Sequence, residues 1–301
     1  MNNLILIAFC FFAGVLLHQL KRMPANTTAI INIFIIHVSF PALILLSVHE
    51  LKFSGNIGLM AAAGWIYFGL SAGFFWLIGR WLNLPRRTVG ALILTGGLGN
   101  TAYVGMPMIE TFYGFQGLSS GIIVDQLGSF LVLSTLGITF AGIYSSGRPG
   151  AREMIKRIIM FPPFIALLAG LLLIPMEYPE WLTSVLKRIS DTLVPLALFS
   201  IGFQLRLGHF MDNGRNLAIG LSFKLFLAPM LLFLLYVHLF GAHGQNIQIT
   251  LFEEAMPPMI TAAILAAEHD LDPPLATLMV TVGLIISFAT LPVWWWFMRG
   301  V

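Results

Sequence analysis

The chain is 301 residues long, 58% hydrophobic and only 10% charged, whereas soluble domains run at roughly 45–50% apolar and about 25% charged residues. A soluble enzyme is thereby excluded: the mean hydropathy is +0.89, and apolar runs recur from Leu4 to Met298 with no polar block large enough for a separate water-soluble domain. The 16 basic and 13 acidic side chains leave a net charge of +3, and the basic ones cluster beside apolar runs instead of forming the stripe that nucleic acid requires.

In chain order the sequence predicts an all-α polytopic membrane protein with ten transmembrane helices, at residues 3–20, 27–49, 56–79, 88–112, 119–145, 156–174, 183–205, 216–240, 247–267 and 273–298. Each is near the length of about 20 apolar residues that a bilayer demands. A transmembrane β-barrel would alternate apolar and polar residues instead. The start, Met1-Asn2-Asn3, lacks a positive region, and Lys21-Arg22 follows the first apolar run, which argues against a cleaved signal peptide. The single cysteine, Cys10, allows neither an internal disulfide nor a cysteine-based metal site.

Lys and Arg counts on alternate sides predict orientation. Loops after spans one, three, five, seven and nine hold eleven: Lys21, Arg22, Arg80, Arg86, Arg87, Arg148, Arg152, Lys156, Arg157, Arg206 and Arg215. The other side holds Lys52, Lys187, Arg188 and Arg299, while Lys224 lies inside span eight. Both termini are expected on the non-cytoplasmic side of a cell (inner or plasma) membrane.

Span four reads Leu94-Thr95-Gly96-Gly97-Leu98-Gly99-Asn100-Thr101-Ala102-Tyr103-Val104-Gly105-Met106-Pro107. Glycine lowers helix stability by about 1 kcal/mol and proline by about 3, and backbone groups freed in hydrocarbon must find partners or line a cavity. Local unwinding is predicted. The half-helix after the break aims N–H groups and a positive dipole end at the cavity, which favours an anionic group. Gly99, Asn100, Thr101 and Pro107 are the candidate substrate contacts here. Glu110, just past Pro107, reads as a solvated carboxylate near the span end.

Ionisable groups inside spans are candidate functional sites, because a charge at the bilayer centre costs at least about 2.5–3.5 kcal/mol. Asp125 in span five has two readings of equal weight. It binds a coupling cation, sodium included, or carries a proton; or it is a buried side chain that caps a broken helix or pairs with a base. Lys224 lies nine residues beyond Arg215, hence about 13 Å deeper along a helix. An internal ion pair is the stronger reading for it, ahead of compensation of substrate charge.

Asp191, four residues before Pro195, reads as solvated, and His37 as a hydrogen-bonded packing residue. Pro41, Pro195 and Pro229 need be no more than kinks. Span nine repeats the interruption with Glu253-Glu254-Ala255-Met256-Pro257-Pro258-Met259-Ile260-Thr261, where consecutive prolines remove two backbone donors. Pro257, Pro258 and Thr261 join the candidate substrate contacts, and Glu254, with Glu253 beside it, lies in the cavity or near the interface according to where the span begins. Trp294-Trp295-Trp296-Phe297 before Arg299 reads as an interface belt.

The two halves, 1–147 and 148–301, look related. A shift of 154 residues places Pro41 on Pro195, Leu51 on Leu205 and Lys52 on Arg206, and the interruptions fall in the fourth span of each set of five. A five-span unit repeated in tandem is necessarily inverted, and inverted repeats with paired broken helices mark secondary transporters. Catalysis finds no support: His49-Glu50-Leu51-Lys52-Phe53 lacks the second histidine of a zinc-protease motif, and there is no Gly-x-Ser-x-Gly and no phosphate-cradling loop.

The run from Gly99-Asn100-Thr101 to Gly105-Met106-Pro107, the segment Val194-Pro195-Leu196-Ala197-Leu198-Phe199-Ser200-Ile201-Gly202 and Ala255-Met256-Pro257 together resemble the auxin efflux carrier family, which includes bacterial carriers and plant PIN-FORMED proteins and groups with the bile-acid/sodium symporters. The resemblance covers essentially the whole chain. It implies two inverted five-helix repeats, with a scaffold of helices 1, 2, 6 and 7 and a transport unit of helices 3–5 and 8–10 containing the crossed helices four and nine. It also implies elevator-type transport of small organic anions, a homodimer formed through the scaffold, and an acidic residue near Asp125. The loop from Ser145 to Arg157 is short, so regulation by phosphorylation of a long loop is not implied, nor is auxin as the substrate. The sequence thus predicts a secondary carrier of small organic anions with no cofactor. The alternative is a sodium- or proton-coupled symporter or exchanger with Asp125 or Glu254 as coupling site. A third reading, a sensor or structural subunit without flux, is disfavoured because no soluble domain transmits a signal.

Overall fold

The structure, a computed structural model, describes residues 2–24, 26–49, 57–145, 155, 156, 158–204 and 214–301. Lys52, Arg148, Arg152, Arg157 and Arg206, most of the loop from Ser145 to Arg157, and the repeat positions Leu51 and Leu205 lie outside the described residues. What is described is helical, with no named strand among these residues. The helices are α1 (Asn2–Gln19), α2 (Thr27–His49), α3 (Ile57–Trp81), α4 (Arg86–Gly97), α5 (Met106–Tyr113), α6 (Phe115–Tyr144) and α7 (Pro162–Leu173). They continue as α8 (Glu180–Ser190), α9 (Leu193–Gln204), α10 (Gly214–Leu239), α11 (Gln245–Glu254), α12 (Ile260–Glu268) and α13 (Pro273–Met298).

Five of these, α2, α3, α6, α10 and α13, are long and apolar enough to cross a membrane unbroken. The predicted spans four, seven and nine are divided into shorter pieces. The division of span seven was not foreseen: the helix runs from Glu180 and turns at Asp191 and Thr192 before α9 begins. Large apolar side chains face outward, among them Phe9 (72% exposed), Trp81 (77%) and Leu172 (80%), the arrangement a lipid environment selects and water does not.

The chain packs as two compact units. One comprises Met1–Phe53, Ala102–Ile122 and Ile159–Arg206, the other Ser54–Thr101, Ile123–Ile158 and Leu207–Val301; each draws on residues before and after 147. In the first unit α1 and α9 meet backbone to backbone. A Cβ on Gly14 would lie 2.3 Å from the Phe199 carbonyl oxygen, and one on Gly202 would lie 2.0 Å from that of Phe11, so glycine on each helix permits the close approach, as small residues do at helix interfaces in lipid. Polar pairs fasten α2 to this face: the Ser200 hydroxyl donates to Asn32 Oδ1 (2.8 Å), and the Ser39 and Thr192 hydroxyls are 2.7 Å apart.

In the second unit an aromatic cluster seals α3 against α10, with the Phe74 and Phe223 rings stacked at 4.6 Å and Phe75 edge-on to Phe223 at 4.9 Å. α10 widens to a π-helical turn at Phe223–Leu227, which loosens its own ladder. The carbonyl oxygens there are taken up from outside, Lys224 O by the Tyr67 hydroxyl (2.7 Å) and Leu225 O by the Trp294 indole N–H (2.8 Å). Trp294 is therefore buried, 6% exposed, and not part of an interface belt, whereas Trp296 (68%) is exposed.

Candidate functional site: a crossing of two broken helices

Both predicted interruptions are present. α4 ends at Gly97, and Leu98 is extended (φ −122°, ψ 119°); helix resumes at Thr101 as a π-helical turn, Thr101–Gly105, that leads into α5. α11 ends at Glu254, the prolines follow, and Met259 is extended (φ −70°, ψ 132°) before α12. The two extended pieces run antiparallel and satisfy each other. Asn100 N–H donates to Pro257 O (2.8 Å) and Met259 N–H to Leu98 O (2.9 Å), a bridge centred on Gly99 and Pro258. Backbone groups that neither helix can pair are thus paired across the breaks, which is what burial requires of them.

Around this bridge stand the buried ionisable groups of the second unit. Asp125, 3% exposed, sits in a π-helical turn of α6, Val124–Phe130. The Thr101 hydroxyl donates to its Oδ1 and the Gln126 amide to its Oδ2, both at 2.5 Å. Asp125 therefore fastens the first residue after the break in span four to α6. Lys224, fully buried, reaches from the π-helical turn of α10; its Nζ donates to Glu254 O (3.1 Å) and lies 4.1 Å from the centre of the Tyr67 ring.

Glu253 and Glu254 are also buried, at 0% and 1% exposure, which places them inside the protein and not at an interface. Both Glu253 carboxyl oxygens and Oε1 of Glu254 lack a hydrogen-bond partner among the described residues, as does Oε1 of Gln126. Such groups are costly in an apolar interior, and at transport sites they mark places where a ligand or ion is received.

Of the residues picked from sequence, Gly99, Asn100, Thr101, Pro257, Pro258, Asp125, Lys224 and Glu254 come together in the second unit. Thr261 lies in the first turn of α12 with its side chain exposed. Pro107 belongs to the first unit, where it lines a cavity of about 170 Å³ with Leu6, Glu110, Thr111, Asp191, Val194 and Pro195. Asp191 is half exposed and pairs with Lys187 at 2.8 Å. His37 is exposed and bonds its own helix at Ile33 O (2.9 Å). Glu253, read from sequence together with Glu254, joins the cluster, and Tyr67 and Gln126 complete it without having been singled out. An aromatic residue such as Tyr67 carries no local signal of a role.

A helical membrane protein in which two interrupted helices cross around buried ionisable groups has the form of a membrane transporter with discontinuous helices. A family model described as membrane transport protein matches residues 1–295, and the chain belongs to that family, the auxin efflux carrier-like membrane transporters. It is similar to an uncharacterized transporter of Methanothermobacter thermautotrophicus, at 28% identity over 285 residues covering 93% of this chain and 92% of the relative. It is likewise similar to an uncharacterized transporter of Methanocaldococcus jannaschii, at 26% identity over 285 residues covering 89% and 88%. The protein is a multi-pass membrane protein of a transporter family, and that family is not one of catalysts.

Proposed function

We propose that this protein is a secondary carrier of small organic anions, with mono- and dicarboxylates as the substrate class, and that it binds them at the helix crossing. The observation that carries this reading is the backbone bridge between the two breaks, Asn100 N–H to Pro257 O and Met259 N–H to Leu98 O. It brings the start of α12 beside the polar groups of span four. The first N–H groups of α12, those of Ile260, Thr261 and Ala262, have no partner within their own helix and carry the positive dipole end, which suits a carboxylate. Asn100 and Thr261 supply side-chain donors, Thr101, whose hydroxyl donates to Asp125, fixes the end of the first break, Gly99 keeps the approach open, and Pro257 and Pro258 hold the second break.

In this proposal the repeats 1–147 and 148–301 are inverted, helices 1, 2, 6 and 7 form a scaffold that also makes a homodimer, and the transport unit of helices 3–5 and 8–10 moves as an elevator in the cell membrane, with both termini outside. A second reading, a sodium- or proton-coupled symporter or exchanger, is favoured by the unpartnered carboxyl oxygens of Glu253 and Glu254. On that reading coupling falls to Glu254 and its neighbour, because both oxygens of Asp125 are already engaged.

Purified protein in liposomes tests the proposal with a panel of radiolabelled mono- and dicarboxylates under imposed sodium, proton and voltage gradients. At least one carboxylate is taken up, and Asn100→Ala reduces its uptake at least tenfold. Absence of flux for every carboxylate under every gradient contradicts the proposal, and flux that responds to voltage alone rejects the coupled reading.

A further inference from the structure

The crossing has a surplus of acid. Asp125, Glu253 and Glu254 share it with one base, Lys224, and all four are buried. Among the described residues the ammonium group is in ion-pair contact with no carboxylate; its hydrogen bond goes to a backbone oxygen, Glu254 O at 3.1 Å, at the C-terminal end of α11. There the helix dipole is negative and unpaired carbonyls collect, so the position is one where a cation is stabilised. The surrounding groups are those of a cation site. A Cβ on Gly99 would lie only 3.2 Å from Lys224 Nζ and 3.4 Å from Glu253 O, so the bare glycine backbone, the Glu254 carbonyl oxygen and the Tyr67 ring close round the ammonium, with the Glu253 carbonyl oxygen beside Gly99. Oxygen donors with carboxylates in reserve are the ligand type of hard metal cations.

On the reading of the crossing as the transport site, we propose that Lys224 is a tethered cation that holds this position permanently, so that the carrier takes no sodium ion there and protons balance the surplus acid of Glu253 and Glu254. Each carboxylate that receives a proton becomes a neutral acid, and no other bond changes. The groups that face this acid pair are Lys224 from α10, Asp125 from α6, and the hydroxyls of Tyr67 from α3 and Tyr236 from α10. Those hydroxyls are committed to Lys224 O and Leu59 O, so they leave the acid oxygens open to protons.

The test is the melting temperature of the full-length protein in detergent, with sodium chloride exchanged for choline chloride at constant ionic strength. The wild type is indifferent to sodium. Lys224→Gln vacates the position and gains a sodium-dependent rise of a few degrees, as expected when an ion binds only the folded state. Stabilisation of the wild type by sodium overturns the proposal, and so does a folded Lys224→Gln protein that ignores sodium. Where Lys224→Gln is too unstable to purify, Lys224→Gln combined with Glu254→Gln removes one charge of each sign and restores a folded protein; failure of the double variant to fold contradicts the charge balance. In liposomes a proton gradient changes carboxylate flux and a sodium gradient does not, and the reverse overturns the proposal. The melting measurement needs no flux, so it decides this inference even if no carboxylate is transported.

Discussion

The two breaks use opposite means to the same backbone geometry. In span four, glycines weaken the helix and the chain leaves it at Leu98; the acid beside the break, Asp125, has both oxygens bonded, to Thr101 and Gln126. In span nine, consecutive prolines deny the helix its donors, and of the four oxygens on Glu253 and Glu254 three are buried without a hydrogen-bond partner among the described residues. The first break is a clamp whose acid is spent on structure. The second keeps its polar groups in reserve beside a buried ammonium. A satisfied buried acid rigidifies a fold, whereas an unsatisfied one is a standing cost that a ligand, proton or ion relieves.

The largest effect separating the two follows from Lys224→Met, which leaves the acids of the second break without their cation. Removal of one partner from a buried charge cluster costs about 3–5 kcal/mol, read as a loss of thermal stability in detergent; a loss no greater than that of a surface substitution would erase the distinction. Asp125→Asn attacks the clamp. The amide cannot accept from both Thr101 and Gln126, and the hydrogen bond lost costs about 1–3 kcal/mol, with flux reduced because Thr101 is released. The smallest effect belongs to Glu253→Gln, whose oxygens have no partner to lose. Stability stays within about 1 kcal/mol of the wild type or rises slightly, while the response of flux to a proton gradient weakens. A Glu253→Gln protein as unstable as Asp125→Asn would show that the two acids are alike.

Much of this was legible in the chain itself. The ends of α2 and α13 coincide with the predicted 27–49 and 273–298, because an apolar run bounded by polar residues has one way to lie in lipid. The breaks were legible too, since Gly96, Gly97 and Gly99 and the pair Pro257-Pro258 act on the backbone where they stand. Asp125 and Lys224 stood out because a charge in an apolar run is rare and expensive.

What stayed hidden was non-local. The bond from Asn100 N–H to Pro257 O joins residues far apart in the chain, and no local pattern encodes it. The role of Tyr67 depends on a π-helical turn in α10, and π-helical turns leave no composition signal. The turn at Asp191 and Thr192 is the exception, since Pro195, four residues after Asp191, lacks the N–H that would bond the Asp191 carbonyl and its ring crowds that carbonyl. Thr261 was placed correctly beside the second break, but the rotation of α12, which leaves its side chain exposed, depends on packing.

The most direct test of the central claim is equilibrium binding of a transported carboxylate to the purified protein, compared among the wild type, Asn100→Ala and Glu110→Gln. Asn100 stands at the crossing and Glu110 on the cavity of the first unit. The account predicts affinity weakened at least tenfold by Asn100→Ala and little changed by Glu110→Gln. Binding that survives the first substitution and fails with the second would contradict it.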